Sequence, residues 1–352
     1  MQTIITILLT VLIFGFLIFI HEFGHFIVAK ICDVKVNEFA LGMGPKIFSF
    51  KKGETQYSLR ALPIGGYVSM EGENEDSDDP RSFKSKHPLK RIAICSAGVI
   101  MNFILGLLIA ISLVAAINTD AMISTTISKV ITPEGTVSKL KEGDKILSIS
   151  GYKINVGEDI TFGISRSDPT GKTELIELET EFVVIRDGKK IKLEGVKPFV
   201  RVEDENGEKE DRYAFYVKPE KKTVLNVIKH GFFEAVSYVR TTVLGLCDLV
   251  TGRVGIDSLG GVVKIGQVVG EASKLGLENV FYIMALISVN LGVMNLIPIP
   301  ALDGGRIVLL CYELIFKKPI NKKVEEVLIG ASMLALIALM ILVTFKDIIS
   351  IF

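Results

Sequence analysis

The chain has 352 residues, 49% of them hydrophobic, and a mean hydropathy of +0.45. This composition is too apolar for an ordinary soluble domain and indicates a membrane protein. The 40 basic residues balance 40 acidic residues, which excludes the strongly basic surface that is typical of nucleic-acid-binding proteins. The cysteines form no C-x-x-C pair, so we interpret them as buried thiols and not as disulfides or metal ligands. They are Cys32, Cys95, Cys247 and Cys311.

Four apolar runs are each long enough to cross a bilayer as a helix of about 20 residues. The first run lacks a positive n-region and a small-residue cleavage site, so we interpret it as a retained transmembrane helix and not as a signal peptide. Lysine and arginine are concentrated in the loop between the first two runs and in the loop between the last two. The positive-inside rule places both loops in the cytoplasm and the long middle segment outside. The runs cover residues 4–29, 92–117, 280–302 and 327–345.

The motif His21-Glu22-Phe23-Gly24-His25 lies near the end of the first run. It reads H-E-x-x-H, and in a helix both histidines lie one turn apart on the same face. Two neutral imidazoles suit zinc, and Glu22 is placed to take a proton from a metal-bound water whose pKa the zinc lowers. The pattern is short and also arises by chance. However, two of the four histidines of the chain form it, and polar groups inside a membrane helix are usually functional.

The loop after the first run is predicted to contain a membrane-associated β element over residues 34–72. Residues 48–50 and 57–60 have the pattern of short strands, and glycine and proline residues beside them indicate turns. We expect a small sheet against the membrane near the mouth of the site, with an ordinary hairpin as the alternative. The acidic segment 71–79 is interpreted as a solvated loop.

Residues 121–220 are predicted to form a soluble β-rich domain. The stretch 140–151, LKEGDKILSISG, matches the PDZ signature L-x-x-G-D-x-I-x-x-I-x-G, and PDZ domains bind extended chains or chain termini by strand addition. Further strands are predicted over 176–186 and 190–193, with a turn at Asp187-Gly188. The alternative is a small β domain that binds nothing.

An amphipathic helix is predicted over residues 223–251, because apolar residues recur there at three- and four-residue steps. We expect it to lie on the outer membrane surface or against the spans. His230 falls on the polar side, so we interpret it as solvated and not as a ligand. His87, which precedes Pro88 in a basic loop, is interpreted in the same way.

Asp303 is the candidate for the third protein ligand that a catalytic zinc requires. It follows the third run, which points in the same direction as the first, so Asp303 would reach the depth of His21. Pro298 and Pro300 interrupt regular helix there, so the backbone must be buried in protein or line a wet cavity. One alternative is that Asp303 only caps a helix at the membrane edge. Another is Glu313, although it is predicted to lie beyond the Gly-Gly turn in a new helix.

Together these motifs resemble the site-2 protease family of intramembrane zinc metalloproteases, in particular its bacterial RseP/RasP type. The resemblance covers nearly the whole chain: H-E-F-G-H in the first span, the PDZ-like insert after the second, and N-x-x-P-x-P-x-L-D-G-G at 295–305. It implies that one zinc ion is held by His21, His25 and Asp303, and that Glu22 is the catalytic base.

The same resemblance implies that Asn295 holds the substrate strand, with Asn290 as a further candidate. Two departures from the family pattern concern helix packing and not the ligands. Residues 97–99, AGV, stand where many members have A-G-P, and residues 259–262, LGGV, stand where many have a G-P-V step. The chain has room for one PDZ-like domain and not for a tandem pair.

The fold class is therefore predicted to be a polytopic α-helical membrane protein with about four transmembrane helices. We expect a cytoplasmic-side membrane-associated β element and one extracytoplasmic PDZ-like β-rich domain. The predicted parts are a first membrane half, the PDZ-like domain, the amphipathic helix and a second membrane half. They cover residues 1–120, 121–220, 221–252 and 253–352.

The predicted activity is that of a zinc-dependent endopeptidase of the bacterial cytoplasmic membrane. It would hydrolyse peptide bonds in or near transmembrane segments of single-span proteins, such as an anti-sigma factor or a signal-peptide remnant. Expected partners are these substrates, peptide or chain termini at the PDZ-like domain and the lipid bilayer, with no nucleic acid. A scaffold with a vestigial metal site is disfavoured by the complete ligand set with Glu22. A transporter with broken helices is disfavoured because no repeat symmetry relates the two halves.

Overall fold

The computed structural model describes residues 2–73, 75–117, 121–132, 138–168, 170–203, 209–255 and 259–349. The chain divides into two compact units, residues 1–109 with 257–352 and residues 110–256. The helices within the described residues are α1 (Gln2–Ile31), α2 (Pro88–Ala116), α3 (Asp159–Ser165), α4 (Val224–Val250), α5 (Val262–Leu275), α6 (Leu277–Leu296), α7 (Asp303–Phe316) and α8 (Lys322–Ile349). The strands are β1 (Val36–Lys52), β2 (Thr55–Met70), β3 (Ala121–Val130), β4 (Lys145–Ile149), β5 (Tyr152–Lys153), β6 (Thr180–Arg186), β7 (Lys189–Val196), β8 (Phe199–Glu203), β9 (Lys209–Tyr213) and β10 (Phe215–Lys221).

Four helices are long and apolar enough to cross a membrane, namely α1, α2, α6 and α8. They confirm the four predicted apolar runs. The third predicted run was too long, because α6 ends at Leu296 and Ile297 is extended. Pro298 and Pro300 follow, and proline cannot continue the hydrogen-bond ladder of a helix. The backbone between α6 and α7 is therefore irregular.

Close backbone approaches set the packing of α1. A Cβ at Gly24 would lie 2.5 Å from the carbonyl oxygen of Ala97 in α2, so glycine is required at this crossing. On α5, a Cβ at Gly270 would lie 2.8 Å from the side chain of Thr6. Apolar side chains around Leu17 fill the space between α1, α5 and α6.

The N-terminus of α5 is capped by a residue of α8. Oδ2 of the buried Asp347 accepts hydrogen bonds from the backbone N–H of Gly261 at 2.8 Å and of Lys264 at 3.1 Å. These are the groups that an N-cap side chain normally satisfies, and Gly261 has no side chain to do so. A Cβ at Gly261 would lie 2.8 Å from Oδ2 of Asp347. The glycine that departs from the family pattern therefore makes room for the distant carboxylate.

The loop after α1 folds into β1 and β2, which confirms the predicted strands and extends them. Both strands are bent, so residues 36–41 pair with 66–70 on one side, and residues 38–41 pair with 56–59 on the other. Gly42 and Gly44 have φ values of 85° and 84° at the bend, a conformation that favours glycine. The result is the predicted small sheet and not an ordinary hairpin. Its contact with a membrane stays a prediction.

The acidic segment 71–79 is a loop, and Glu75, Asp76 and Asp78 are exposed as expected, whereas Glu73 is largely removed from solvent. Glu73 forms an ion pair with Arg306 of α7, and its side chain is only 10% exposed. Asp76 forms an ion pair with Lys322 of α8 at 3.1 Å. The sequence could not show these contacts, because each partner lies more than 200 positions away.

The second unit contains a sheet in the order β10-β3-β4-β6-β7, with β5 paired to β4, and a separate β8-β9 hairpin. The predicted strand 176–186 begins only at Thr180, because residues 175–177 form a 3₁₀ turn. The predicted turn at Asp187 and Gly188 is confirmed, with φ values of 51° and 76°. Its tight geometry matches the twist of a two-residue hairpin.

The G-D step of the PDZ-like motif has a structural role. Asp144 is fully buried and accepts hydrogen bonds from Nε of Arg186 at 2.7 Å and from the backbone N–H of Lys141 at 2.9 Å. Burial alone would raise the pKa of Asp144, but the guanidinium and the amide hold that pKa below its ordinary value. The carboxylate therefore stays charged and ties the start of β4 to the end of β6.

The predicted amphipathic helix forms as α4, but its polar side is the one that is buried within the second unit. His230 and Asp248 are buried, whereas Leu225 and Phe232 are exposed on the opposite side. The periodicity predicted the two faces correctly. It did not predict which face would be buried.

His230 is held between two carboxylates, so its interpretation as solvated was wrong. Its Nδ1 lies 3.3 Å from Oε2 of Glu158, and its Nε2 lies 3.0 Å from Oε2 of Glu220. Burial lowers the pKa of His230, but the two carboxylates outweigh burial and raise that pKa overall. His87 is exposed, as expected.

The four cysteines are free thiols. Cys32 and Cys95 are buried, as expected, but Cys247 is exposed and Cys311 is half-buried. The burial prediction was therefore wrong for the last two. None of them belongs to the cluster of metal-ligand side chains described next.

Candidate metal centre

Three side chains from two helices converge in the first unit. His21 and His25 lie one turn apart on α1, and Asp303 is the first residue of α7. Oδ2 of Asp303 lies 3.1 Å from Nε2 of His21 and 3.4 Å from Nε2 of His25. The two Nε2 atoms are 3.2 Å apart. The structure thus brings together the residues that the sequence predicted as ligands.

These three donors fit a zinc ion. Oδ2 of Asp303 is buried and has no hydrogen bond of acceptable geometry from any described residue, which is costly unless a cation lies beside it. A tetrahedral zinc with ligand bonds of about 2.1 Å separates its ligand atoms by roughly 3.4 Å. The distances between the three ligand atoms are 3.1, 3.2 and 3.4 Å. His21, His25 and Asp303 therefore have the chemistry and the spacing of a zinc site with an open fourth position.

Glu22 lies beside this centre and not within it. It follows His21 directly on α1 and does not belong to the group whose ligand atoms converge. Strand β2 passes next to it, because a Cβ at Gly66 would lie 3.0 Å from Cγ of Glu22. The side-chain stem of Glu22 therefore lies against a strand of the small sheet, one residue after the ligand candidate His21.

Close packing at the start of α7 positions Asp303. A Cβ at Gly304 would lie 2.2 Å from the carbonyl oxygen of Leu296, and Gly305 approaches the backbone of the segment 297–302 equally closely. Both glycines lie in the first turn of α7. The sequence predicted a turn at Gly304-Gly305, whereas in the structure these residues begin a helix. Asp303 belongs to this new helix and not to the end of the third span, which corrects the prediction.

The alternative ligand Glu313 lies in the same helix but has another partner. Its carboxylate forms an ion pair with Arg91 of α2. Glu313 is not part of the convergent group of His21, His25 and Asp303. Asp303 therefore remains the candidate for the third ligand.

Of the two asparagines expected to bind substrate, Asn295 lies at the centre. Its Nδ2 is 3.4 Å from Nε2 of His21. Asn290 is exposed five residues earlier on α6, which is a different side of the helix at 3.6 residues per turn. A substrate-binding role for Asn295 or Asn290 stays a prediction.

Residues of α2 complete the centre, and the motifs did not assign them a role. A Cβ at Gly98 would lie 2.4 Å from Nε2 of His25 and 2.7 Å from Cε1 of His21. Nδ1 of His25 donates a hydrogen bond to the carbonyl oxygen of Ile94 at 2.8 Å. The side-chain amide of Asn102 lies 3.1 Å from Nδ1 of His21. A signal for Asn102 existed, because it is a polar residue in an uncharged apolar run.

Gly98→Ala should displace the histidine pair, because the added methyl group would occupy the space of their ring nitrogens. We expect the zinc affinity to fall by about tenfold or more, as happens when the surroundings of a metal ligand are disturbed. The measurement is zinc dissociation by competition with a chelator. Gly15→Ala in α1 is the matched control, since nothing lies within 4 Å of a Cβ there. Equal zinc affinities of the two variants would show that Gly98 does not set the room for the histidines.

The sequence was also compared with known proteins. The model of the family described as Peptidase family M50 matches residues 9–339. A putative zinc metalloprotease of Clostridium perfringens is 39% identical over 97% of this chain and 98% of its own length. A putative zinc metalloprotease of Fusobacterium nucleatum is 34% identical over 97% of this chain and 98% of its own length. The regulator of sigma-W protease RasP of Bacillus subtilis is 31% identical over the same shares.

Proposed function

Because the chain belongs to peptidase family M50, the site-2 protease family, we propose that it hydrolyses peptide bonds within the membrane. It is a zinc metalloendopeptidase. The observation that supports intramembrane cleavage is the position of the histidine pair. His21 and His25 lie on α1, which is one of the four helices long and apolar enough to span. The proposed substrates are single-span membrane proteins cut in or near their transmembrane segments.

In this proposal His21, His25 and Asp303 hold the zinc ion and Glu22 is the base. When bound, the zinc supplies Lewis-acid chemistry: it polarises the scissile carbonyl and lowers the pKa of water. Glu22 takes a proton from the attacking water and delivers it to the amide nitrogen of the leaving chain. His21, His25 and Asp303 transfer no proton in this proposal and only keep the orientation in which they bind the zinc ion.

A transmembrane substrate must unwind before it is cut, because a hydrogen-bonded helix hides its carbonyl groups. Strand addition would hold it extended. Residues 66–70 of β2 are suited to this role, since they pair with residues 36–41 on one side and Gly66 lies against Glu22. Asn295 would then contact the substrate backbone beside His21.

We further propose a role in regulated intramembrane proteolysis in the bacterial cytoplasmic membrane. A relative from Bacillus subtilis is named regulator of sigma-W protease, which makes an anti-sigma factor a reasonable class of substrate, with signal-peptide remnants as the other. The distribution of lysine and arginine supports a zinc site towards the cytoplasm and an extracytoplasmic second unit. The motif at 140–151 supports a PDZ-like unit that binds peptide or chain termini.

Cleavage in a reconstituted membrane is the direct test of the proposal. We expect the purified protein in proteoliposomes to cut a single-span reporter within its apolar segment, and a zinc chelator to stop the reaction. Added zinc should restore it, because metal removal leaves the polypeptide intact. Mass spectrometry of the products gives the position of the cut. A cut in the soluble part of the reporter, or cleavage that survives complete zinc removal, would contradict the proposal.

The second unit is proposed to control which substrates reach the site. It contributes none of the residues of the metal centre. We expect wild-type enzyme to cut a reporter with a short outer tail and to reject one with a folded outer domain. A variant without residues 123–219 should retain zinc and accept both reporters. If this variant still rejects only the bulky reporter, the second unit does not gate access.

A further inference from the structure

We infer that Asn102 is a positioning residue that accepts a hydrogen bond from Nδ1–H of His21 and so directs the Nε2 lone pair of His21 to the metal. The inference rests on the metal centre of the proposed function. It concerns a side chain on α2 that contributes no ligand atom. The observations that carry it are two hydrogen-bond contacts and one buried atom.

His25 shows what the centre requires of a ligand. Its Nδ1 lies 2.8 Å from the carbonyl oxygen of Ile94, which can only accept a hydrogen bond. Nδ1 of His25 must therefore carry the proton, and Nε2 has the lone pair that faces Asp303. A metal-ligating histidine usually has such an acceptor for its other ring nitrogen, which fixes its tautomer and ring orientation.

His21 has the same geometry, but its partner has two possible orientations. Nδ2 of Asn102 lies 3.1 Å from Nδ1 of His21, while Oδ1 of Asn102 is buried without a hydrogen-bond partner among the described residues. In that orientation the amide donates, so Nδ1 would need the lone pair and Nε2 the proton. A proton on Nε2 would block metal binding at the atom that faces Asp303.

Rotation of the Asn102 amide by 180° resolves the conflict at His21. The oxygen then faces Nδ1–H of His21 and gains the partner that it lacks, and Nε2 is left with its lone pair. The oxygen and nitrogen of an asparagine amide are nearly isosteric, so the surrounding hydrogen bonds decide between the two orientations. Each histidine then donates a hydrogen bond from Nδ1–H to an oxygen atom and directs the lone pair of Nε2 to the metal.

The position of Asn102 is fixed by its surroundings. Asn102 is 0% exposed, and its main-chain oxygen accepts a hydrogen bond at 2.9 Å from the hydroxyl of Ser288, which is also 0% exposed. Ser288 lies on α6, so the contact ties α2 to α6 at the level of the metal centre. A buried asparagine in an apolar helix is costly unless its amide is satisfied. Asn102 accounts for this cost if its side-chain oxygen accepts a hydrogen bond from His21, as we infer.

The test compares two substitutions of nearly equal size in the full-length protein. Asn102→Leu removes the acceptor, whereas Asn102→Asp retains an oxygen that accepts from Nδ1–H. We expect Asn102→Leu to weaken zinc binding by about 10- to 100-fold in chelator competition. We expect Asn102→Asp to remain within a few-fold of wild type. Ser288→Ala, which keeps the acceptor but removes the anchor, is the control for loss of packing alone, and it should bind zinc more tightly than Asn102→Leu.

A spectroscopic measurement tests the same inference in protein that keeps Asn102 unchanged. The chain has only four histidines, so His87→Gln and His230→Gln identify the nitrogen signals of the two histidines outside the metal centre in ¹⁵N-histidine-labelled, zinc-loaded protein, and the remaining signals belong to His21 and His25. We expect the ring of His21 to be protonated at Nδ1 and zinc-bound at Nε2. Zinc on Nδ1 of His21 would overturn the inference, as would wild-type zinc affinity in Asn102→Leu. Neither readout needs cleavage, so failure of the proposed protease activity would be seen separately.

Discussion

Glu22→Gln should abolish peptide-bond hydrolysis while the protein still binds about one zinc ion per chain. The amide has nearly the shape of the carboxylate but cannot take a proton from water. Loss of a general base commonly costs about 10²- to 10⁴-fold in rate, so we expect no detectable cleavage of a membrane reporter. Zinc binding should persist, because Glu22 lies outside the group formed by His21, His25 and Asp303.

The two readouts must be taken on the same preparation. Zinc content is measured by elemental analysis, and cleavage is measured in proteoliposomes against wild type. Glu313→Gln is the matched control, because it makes the same change on a carboxylate that pairs with Arg91 and not with the metal centre. Wild-type turnover by Glu22→Gln would disprove its role as base. Loss of zinc would instead show that Glu22 supports the metal site.

Asp303→Ala should remove zinc as completely as His21→Ala does. Oδ2 of Asp303 lies within 3.4 Å of the Nε2 atoms of His21 and His25, so it completes the proposed ligand set. Without it two neutral imidazoles remain, and a catalytic zinc usually has three protein ligands. We expect zinc content near background and no cleavage in both variants.

Helical content should be retained in these variants, which circular dichroism can check. The control is Glu313→Ala, which removes a carboxylate from the same helix. If Asp303→Ala keeps wild-type zinc while His21→Ala loses it, the third ligand lies elsewhere. A loss of zinc in Glu313→Ala as well would mean that zinc content follows the packing of α7 and does not identify a ligand.

The sequence predicted those features that depend on local pattern. The four spans follow from apolar length, and the histidine pair follows from helical spacing on α1. The turn at Asp187-Gly188 follows from its residue types. Asp303 required an argument about topology in addition, and the structure brings it to the histidines.

Features that depend on distant partners could not be predicted. Which side of α4 is buried depends on carboxylates such as Glu220, which satisfies His230. Periodicity gives two faces of a helix but contains no information about what covers them. The ion pair of Glu73 with Arg306 could not be predicted either. Both residues are charged, and their sequence pattern would be the same if both were exposed to solvent.

The candidate metal centre was predicted from the sequence only as far as its three proposed ligands. Gly98 was noticed as part of a departure from a family motif, but its function is to leave space for two imidazoles. That function depends on how closely α1 and α2 approach at Gly24. A glycine can occur in an apolar helix for several structural reasons. The local sequence does not show which one applies, because it does not contain the distance between two helices.

The cap that Asp347 provides for α5 has a consequence for biosynthesis. The chain is made from its N-terminus, so α5 leaves the ribosome long before α8, which supplies the carboxylate for Gly261 and Lys264. Until then the first turn of α5 has backbone N–H groups without that partner. The helix that packs on α1, α5, therefore reaches its final hydrogen bonding only after α8 has been made. Synthesis of α8 is in this way coupled to the assembly of α5 with α1, the helix that contains the histidines.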